Sequence, residues 1–367
     1  VLSGTVAYAT VSPGNYTATA TYTFETGVSA IKVMKSDGTT IIASQAVSSG
    51  TAQIVIPYTT ADITGAKSFY VVALGNGTVS ESTASVSQEL YDPLYLPPAI
   101  FDSGVVSAAP IKRAEFVADY YNRHLAFDKE GKLWVGGQSN ASQYTASGIS
   151  TGISVPGGGG PVAFDGNGNM WFSDDGNLKK MTMNGTVLVE LGNGAYKLNG
   201  VVQPNNANAN YYFNFNPVAL DMQGNVYVLG AYEVKKFTKD GFYISTIITG
   251  ITGYTKALTV SKDGSVYVVH SHGSHFTKYT PTVVNGVEVY NAVYTISIPG
   301  GRSSMTTDRD GNLWATGPTS VFQYSQIDGS LLREINTGQL NNPGGIAISP
   351  DGKMYISGPN AKVQIWY

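Results

Sequence analysis

Cysteine is absent from the 367 residues, which excludes disulfides, thiol catalysis and thiolate-bound metal. Charge is scarce: charged residues make up 13% of the chain, against roughly a quarter in an ordinary globular protein. The 22 basic and 25 acidic residues leave a net charge of -3. That balance offers no basic footprint for nucleic acid or for an anionic membrane. No apolar run approaches the roughly 18 residues of a transmembrane helix. Val1 to Ala7 hold no basic segment followed by an apolar one, so no signal peptide is expected at this start. There is no G-x-S-x-G elbow, no H-E-x-x-H and no P-loop. The glycine run Gly157 to Gly160 precedes an expected strand, and so lacks the helix N-terminus of a phosphate cradle.

What the chain does hold is 42% hydrophobic residues, 43 glycines and 24 tyrosines, too apolar for a disordered protein. Its Thr, Ser, Asn, Gly and Tyr-rich texture resembles that of exported bacterial proteins. The expectation is a monomer in the periplasm or at the cell surface, with any lipid anchor on a segment outside this chain.

One pattern recurs six times: LAFDKEGKLWVGG, VAFDGNGNMWFSD, VALDMQGNVYVLG, LTVSKDGSVYVVH, MTTDRDGNLWATG and IAISPDGKMYISG. Aligned on Gly131, Gly168, Gly224, Gly264, Gly311 and Gly352, every copy has an aromatic three residues later: Trp134, Trp171, Tyr227, Tyr267, Trp314 and Tyr355. Three residues before the glycine stands Asp128, Asp165, Asp221 or Asp308, with Ser261 and Ser349 in the other two copies. Each unit reads as a β-hairpin whose glycine supplies positive φ and whose return strand carries a packing aromatic. Successive glycines lie 37, 56, 40, 47 and 41 residues apart, and a spacing near forty holds the four short strands of one propeller blade.

This pattern resembles the NHL-repeat and related six-bladed β-propeller families, over Ile111 to Tyr367. The last repeat stops after its third strand, so Ile111 to Val117 is expected to supply the missing fourth strand and close the ring. Residues 1 to 90 carry seven short alternating runs separated by turn signals such as S-P-G-N and S-D-G-T, which suggests an immunoglobulin or fibronectin-like sandwich. Residues 91 to 110, containing YDPLYLPPAI, read as a proline-rich linker. The expected fold is therefore all-β throughout: an immunoglobulin-like sandwich followed by a six-bladed propeller.

In such a blade the loop entering the first strand and the loop leaving the second share one face, the upper face. The D-x-x-G turns share the other. Upper-face residues that stand out are Tyr120, Tyr121 and Arg123 before the first repeat, Asp174, Tyr212 in the stretch NNANANYYFNFN, Tyr232, Glu233 and Arg302. Tyrosine and asparagine together suit a neutral polar ligand, a glycan or a peptide, because rings stack while amides hydrogen-bond. His270 and His272, in HSHGSH, sit two apart at an expected strand end and would share a side, as a divalent metal site requires. No other cofactor is expected. Two functions remain open: a non-enzymatic binding or scaffold protein using the upper face, or a metal-dependent hydrolase, lactonase or lyase at the channel mouth. The second is what the resemblance allows, since six-bladed relatives include such enzymes.

Overall fold

The repeat's turns close as local chemistry dictates. Asp128, Asp165, Asp221 and Asp308 each accept the backbone N–H four residues on, at 2.8–2.9 Å. The Ser349 hydroxyl accepts the equivalent N–H at 3.0 Å. The six turn glycines adopt φ between +71° and +81°, the left-handed region that glycine enters without a Cβ penalty. Each turn sends the chain back antiparallel, and repeating this builds six sheets.

The computed structural model describes residues 3–12, 15–23, 28–35, 41–47, 51–59, 68–75, 86–89, 100, 103–118, 124–137, 140–156, 160–174, 176–192, 195–203, 213, 216–230, 232–253, 255–284, 287–301, 304–337, 344–358 and 360–367. The chain divides into two units, Val1–Leu96 and Pro97–Tyr367.

In the second unit blade 1 runs His124–Phe127, Leu133–Gly136, Asn140–Tyr144 and Ser150–Pro156. Blades 3, 4 and 5 repeat that order from Val218–Leu220, Ala257–Val260 and Met305–Thr307. Blade 2, starting at Val162–Phe164, carries two extra edge strands, Ala195–Leu198 and Val201–Val202. That added hairpin accounts for part of the 56-residue spacing between Gly168 and Gly224. In blade 6 the strands Ile346–Ile348, Met354–Ser357 and Lys362–Trp366 are completed by Lys112–Val117, which pairs antiparallel with Lys362–Trp366. The first strands touch one another in a closed cycle, with blade 6 meeting blade 1. The result is a six-bladed β-propeller.

The repeat aromatic glues each blade to the next. Trp134 packs with Phe164 and Met170 of blade 2, and Trp171 with Val218 of blade 3. Tyr227 meets Leu258, Tyr267 meets Leu313, Trp314 meets Ile348, and Tyr355 meets Phe127 across the closure. All six rings are fully buried. The closure carries a second device within the stretch read as linker. Ser103 to Ser107 lie as a strap over blades 5 and 6, where the Gly104 N–H donates to the Ser349 carbonyl at 2.8 Å. Val106 of this strap is buried with Trp314 and Ile348. A Cβ on Gly104 would lie 2.6 Å from Gly352 Cα, so only glycine permits that backbone-on-backbone approach.

In the first unit, Ser3–Ser12, Asn15–Thr23 and Thr51–Thr59 form a three-stranded antiparallel sheet with Asn15–Thr23 at its centre. Ile41–Ala46, Val28–Lys35, Ser68–Gly75 and Val86–Glu89 form a four-stranded one in that order. Period-two burial follows from the pleat. Ile54 and Ile56 are buried while Gln53, Val55 and Pro57 are exposed, and Ile31 and Val33 are buried on the other sheet.

Candidate functional site

The antiparallel order of every blade puts the loops after the second strands and those before the first strands on one face. Of the residues singled out from sequence, Asp174, Tyr232, Glu233, His270 and His272 fall on described parts of that face. Tyr120, Tyr121, Arg123, Tyr212 and Arg302 lie outside the described residues.

Asp174 ends the second strand of blade 2, paired across a tight turn with Asn177. Its Oδ2 takes an ion pair from Lys179 at 2.9 Å, and Lys179 also approaches Glu190 at 3.8 Å. Lys197 completes the ladder at 2.9 Å from Glu190. Asp174 Oδ1 is buried and accepts no hydrogen bond among the described residues. Two residues of the Asn/Tyr/Phe-rich stretch, Phe213 and Asn216, are held beside this turn. Phe213 is buried against Trp171, Leu178 and Phe237, and its N–H reaches the Gly176 carbonyl at 3.3 Å. Asn216 donates to the Leu229 carbonyl at 2.6 Å and accepts from the Ser173 hydroxyl at 2.9 Å.

Tyr232 and Glu233 form the corresponding turn of blade 3. Tyr232 is 57% exposed. The Glu233 carboxylate is ion-paired with Lys235, whose ammonium is pulled down in pKa by burial.

The two histidines first paired by sequence separate in the structure. The strand ends at His270, and His272 follows in a single 3-10 turn with φ of +61°, its side chain exposed. The register instead sets His270 opposite His275, with rings stacked 6.1 Å apart. His270 Nε2 shares a hydrogen bond with Thr277 Oγ1 at 2.8 Å, and Thr277 shares another with Thr295 at 2.8 Å. Among the described residues no group of three or more His, Cys, Asp or Glu is placed to hold a metal ion. Lys179, Lys235 and Thr277 do not stand out in the sequence because their partners are set by register across a turn.

Burial, and next the neighbouring His275, lower the His270 pKa. An unfolded chain would take up that proton near pH 6.5, while the native state resists it. Stability therefore declines as pH falls below about 6.5 toward the depressed native value. Urea midpoints measured down that range should show a decline that His270→Gln flattens. Equal slopes in both proteins would remove His270 as the cause.

No family model matches the chain, and no curated protein matches it. Solved structures do. A putative gluconolactonase is 14% identical, with a TM-score of 0.52 over 74% of this chain and 97% of its own. Virginiamycin B lyase from Staphylococcus aureus is 14% identical, with a TM-score of 0.45 over 82% of this chain and 87% of its own. The WD40 β-propeller domain of Doa1 is 13% identical, with a TM-score of 0.48 over 82% and 86%. At such identities the likeness is one of fold, and the fold is the β-propeller.

Proposed function

We propose that the protein is an exported, non-enzymatic binding or scaffold protein whose upper propeller face holds a neutral glycan or peptide. The carrying observation is Tyr232, a large ring left 57% exposed on the face where Phe213 and Asn216 are anchored. An exposed ring beside the neutralised Glu233 carboxylate suits stacking, with hydrogen bonds for orientation. The first unit is read as an immunoglobulin-like or fibronectin-like spacer. Its three-stranded and four-stranded antiparallel sheets, each with one buried face in its described part, support that reading. The repeats are read as NHL-like on the spacing of turn acceptor, glycine and aromatic.

The test is a glycan and peptide array probed with wild type and Tyr232→Ala. Truncating a central aromatic anchor typically costs about 2 kcal/mol or more. Affinity should change little between low and physiological salt, because few exposed charges take part. Binding that survives Tyr232→Ala, or that collapses with salt, places the contact elsewhere.

A further inference from the structure

A strand that ends a sheet leaves a row of unpaired N–H and C=O groups, which any further strand can use. Five of the six outer edges of this ring are blunted. Blade 1 ends on Ser150–Pro156, broken by Gly152 at φ of +80° and closed by Pro156. Blade 2 ends on the two residues Val201–Val202. In blade 3 the outer strand Tyr243–Ile248 pairs with its neighbour through two register shifts. Leu331–Asn336 of blade 5 carries Arg333 and Glu334, and Lys112–Val117 of blade 6 carries Lys112, Arg113 and Glu115. Brevity, bulges, proline and charge are the means by which sheet edges refuse partners.

Among the described residues, blade 4 alone keeps a long edge open. Its outer strand Val287–Ser297 is 11 residues long, and only His275–Val284 pairs with it. Below the bulge at Lys278 the pairing runs from Tyr279–Ala292 to Val284–Val287 without a shift. The second strand stops short, with Val266 opposite Tyr279, so the rest is a two-stranded ribbon. One side of that ribbon is held to blade 3, where Tyr290 shares a hydrogen bond with Tyr227 and Glu288 pairs with Lys236. The other side carries Thr282, Val284, Val287 and Val289. All four are exposed, the valines by 52%, 62% and 38%. Glu288 is the only charge in the strand, and Lys236 holds it inward.

We propose that two copies of the chain pair antiparallel, edge to edge, through Val287–Ser297. Charge selects a second copy as the occupant. A two-fold axis sets the strand against itself, so any outward charge would meet its own like. Holding Glu288 inward removes that conflict from the one edge long enough to pair, whereas a foreign strand imposes no such demand. The antiparallel sense is the one a two-fold axis generates and the better paired of the two. A net charge of -3 adds little repulsion between copies of 367 residues. The monomer expected of the sequence gives way because the bareness of this edge shows only against the other five. The strand rises from the lower face to the upper one, where Ser297 lies opposite His275. Antiparallel pairing therefore points the two upper faces in opposite directions. The dimer is a bridge with one upper face at each end, whatever those faces hold.

Sedimentation equilibrium of the full chain in the micromolar range should give a dimer. Hydrogen exchange of the Val287–Ser297 amides should slow as concentration rises. Val289→Lys should weaken association about tenfold or more, since each dimer then holds two unpaired ammonium groups at the join. Val287→Lys, nearer the tip, should act in the same direction. Ile149→Lys, at an exposed residue of blade 1's outer turn, should leave association unchanged. Val287 and Val289 are exposed, so both variants should melt as the dilute wild type does, which separates lost pairing from lost fold. A chain monomeric at every concentration overturns the dimer, whether or not it captures an added valine-rich peptide on this edge. A dimer that both valine variants leave intact, or that Ile149→Lys weakens equally, places the contact elsewhere and overturns it too.

Discussion

Asp308→Ala should lower the melting temperature of the propeller by roughly 6–12 °C, the shift that about 3 kcal/mol produces in a unit of this size. Asp308 is 5% exposed, and its Oδ2 accepts Trp314 Nε1 and Gln323 Nε2, both at 2.9 Å. Its Oδ1 takes the Asn312 N–H of the turn. The substitution leaves two buried donors without an acceptor, and each such orphan costs about 1–3 kcal/mol. The damage should reach the ring closure. Gln323 Oε1 accepts Arg333 Nε at 2.6 Å, and the Arg333 guanidinium lies 4.7 Å over the Trp314 ring. Arg333 also donates to the strap carbonyls of Val106, at 3.1 Å, and Ser107. Blade 6 supplies the control, because Ser349 replaces the aspartate there and Ile365, opposite Tyr355, stands where Gln323 stands opposite Trp314. Asp308→Ser combined with Gln323→Ile should be less damaging than the sum of the single changes, as expected for partners in one network. Strict additivity in thermal or denaturant melts would show that the two do not act together.

That pair of positions marks how far the sequence could be read. The turn glycines and six aromatics announce the blades directly, because a left-handed φ and a buried ring each restrict residue type sharply. The second half of the lock lies fifteen residues after the aspartate: Gln143, Lys180, Lys236 and Gln323. In sequence these are ordinary polar side chains until the third strand is seen folded back beside the second. In blade 1 Gln143 donates to Asp128 at 2.8 Å, and in blade 2 Lys180 pairs with Asp165 at 2.9 Å. Blade 4 moves the acid two residues, and Asp263 approaches Lys278 at 4.0 Å. The upper-face site was legible only in its exceptions. Asp174 and His270 break a run of glycines, a departure visible in the aligned repeats. Glu233 was singled out beside Tyr232, but its return over Gly230 depends on the turn's backbone path. The strap is silent in the sequence for a physical reason as well. Its Gly-Val-Val run is short and follows a proline-rich stretch, and nothing local reveals that Val106 fills a gap between blades 5 and 6.

The strongest single dependence should lie at Lys236. Its side chain is 1% exposed and its ammonium sits 2.7 Å from Glu288 and 3.7 Å from Asp221. The same ammonium lies 5.0 Å over the Tyr227 ring and 5.8 Å over Tyr290, whose hydroxyls share a hydrogen bond at 2.9 Å. Glu288 and Tyr290 reach blade 3 from the fourth strand of blade 4, which a bulge between Lys278 and Tyr279 twists midway. Beyond that bulge Tyr294 packs instead toward blade 5. One strand therefore stitches two blade interfaces, and Lys236 is the charge that lets its acid be buried. Removing one partner of a buried pair costs about 3–5 kcal/mol, because the remaining charge has no compensation. Lys236→Ala should lose that much and expose blade 4's outer hairpin to proteolysis. Lys236→Gln copies the residue of blades 1 and 5, and a glutamine can still donate to Asp221. It should fail chiefly through Glu288, so adding Glu288→Gln to Lys236→Gln should recover most of the loss. A double variant as unstable as Lys236→Ala would mean that the lysine acts through its stem and the two tyrosine rings rather than through its charge.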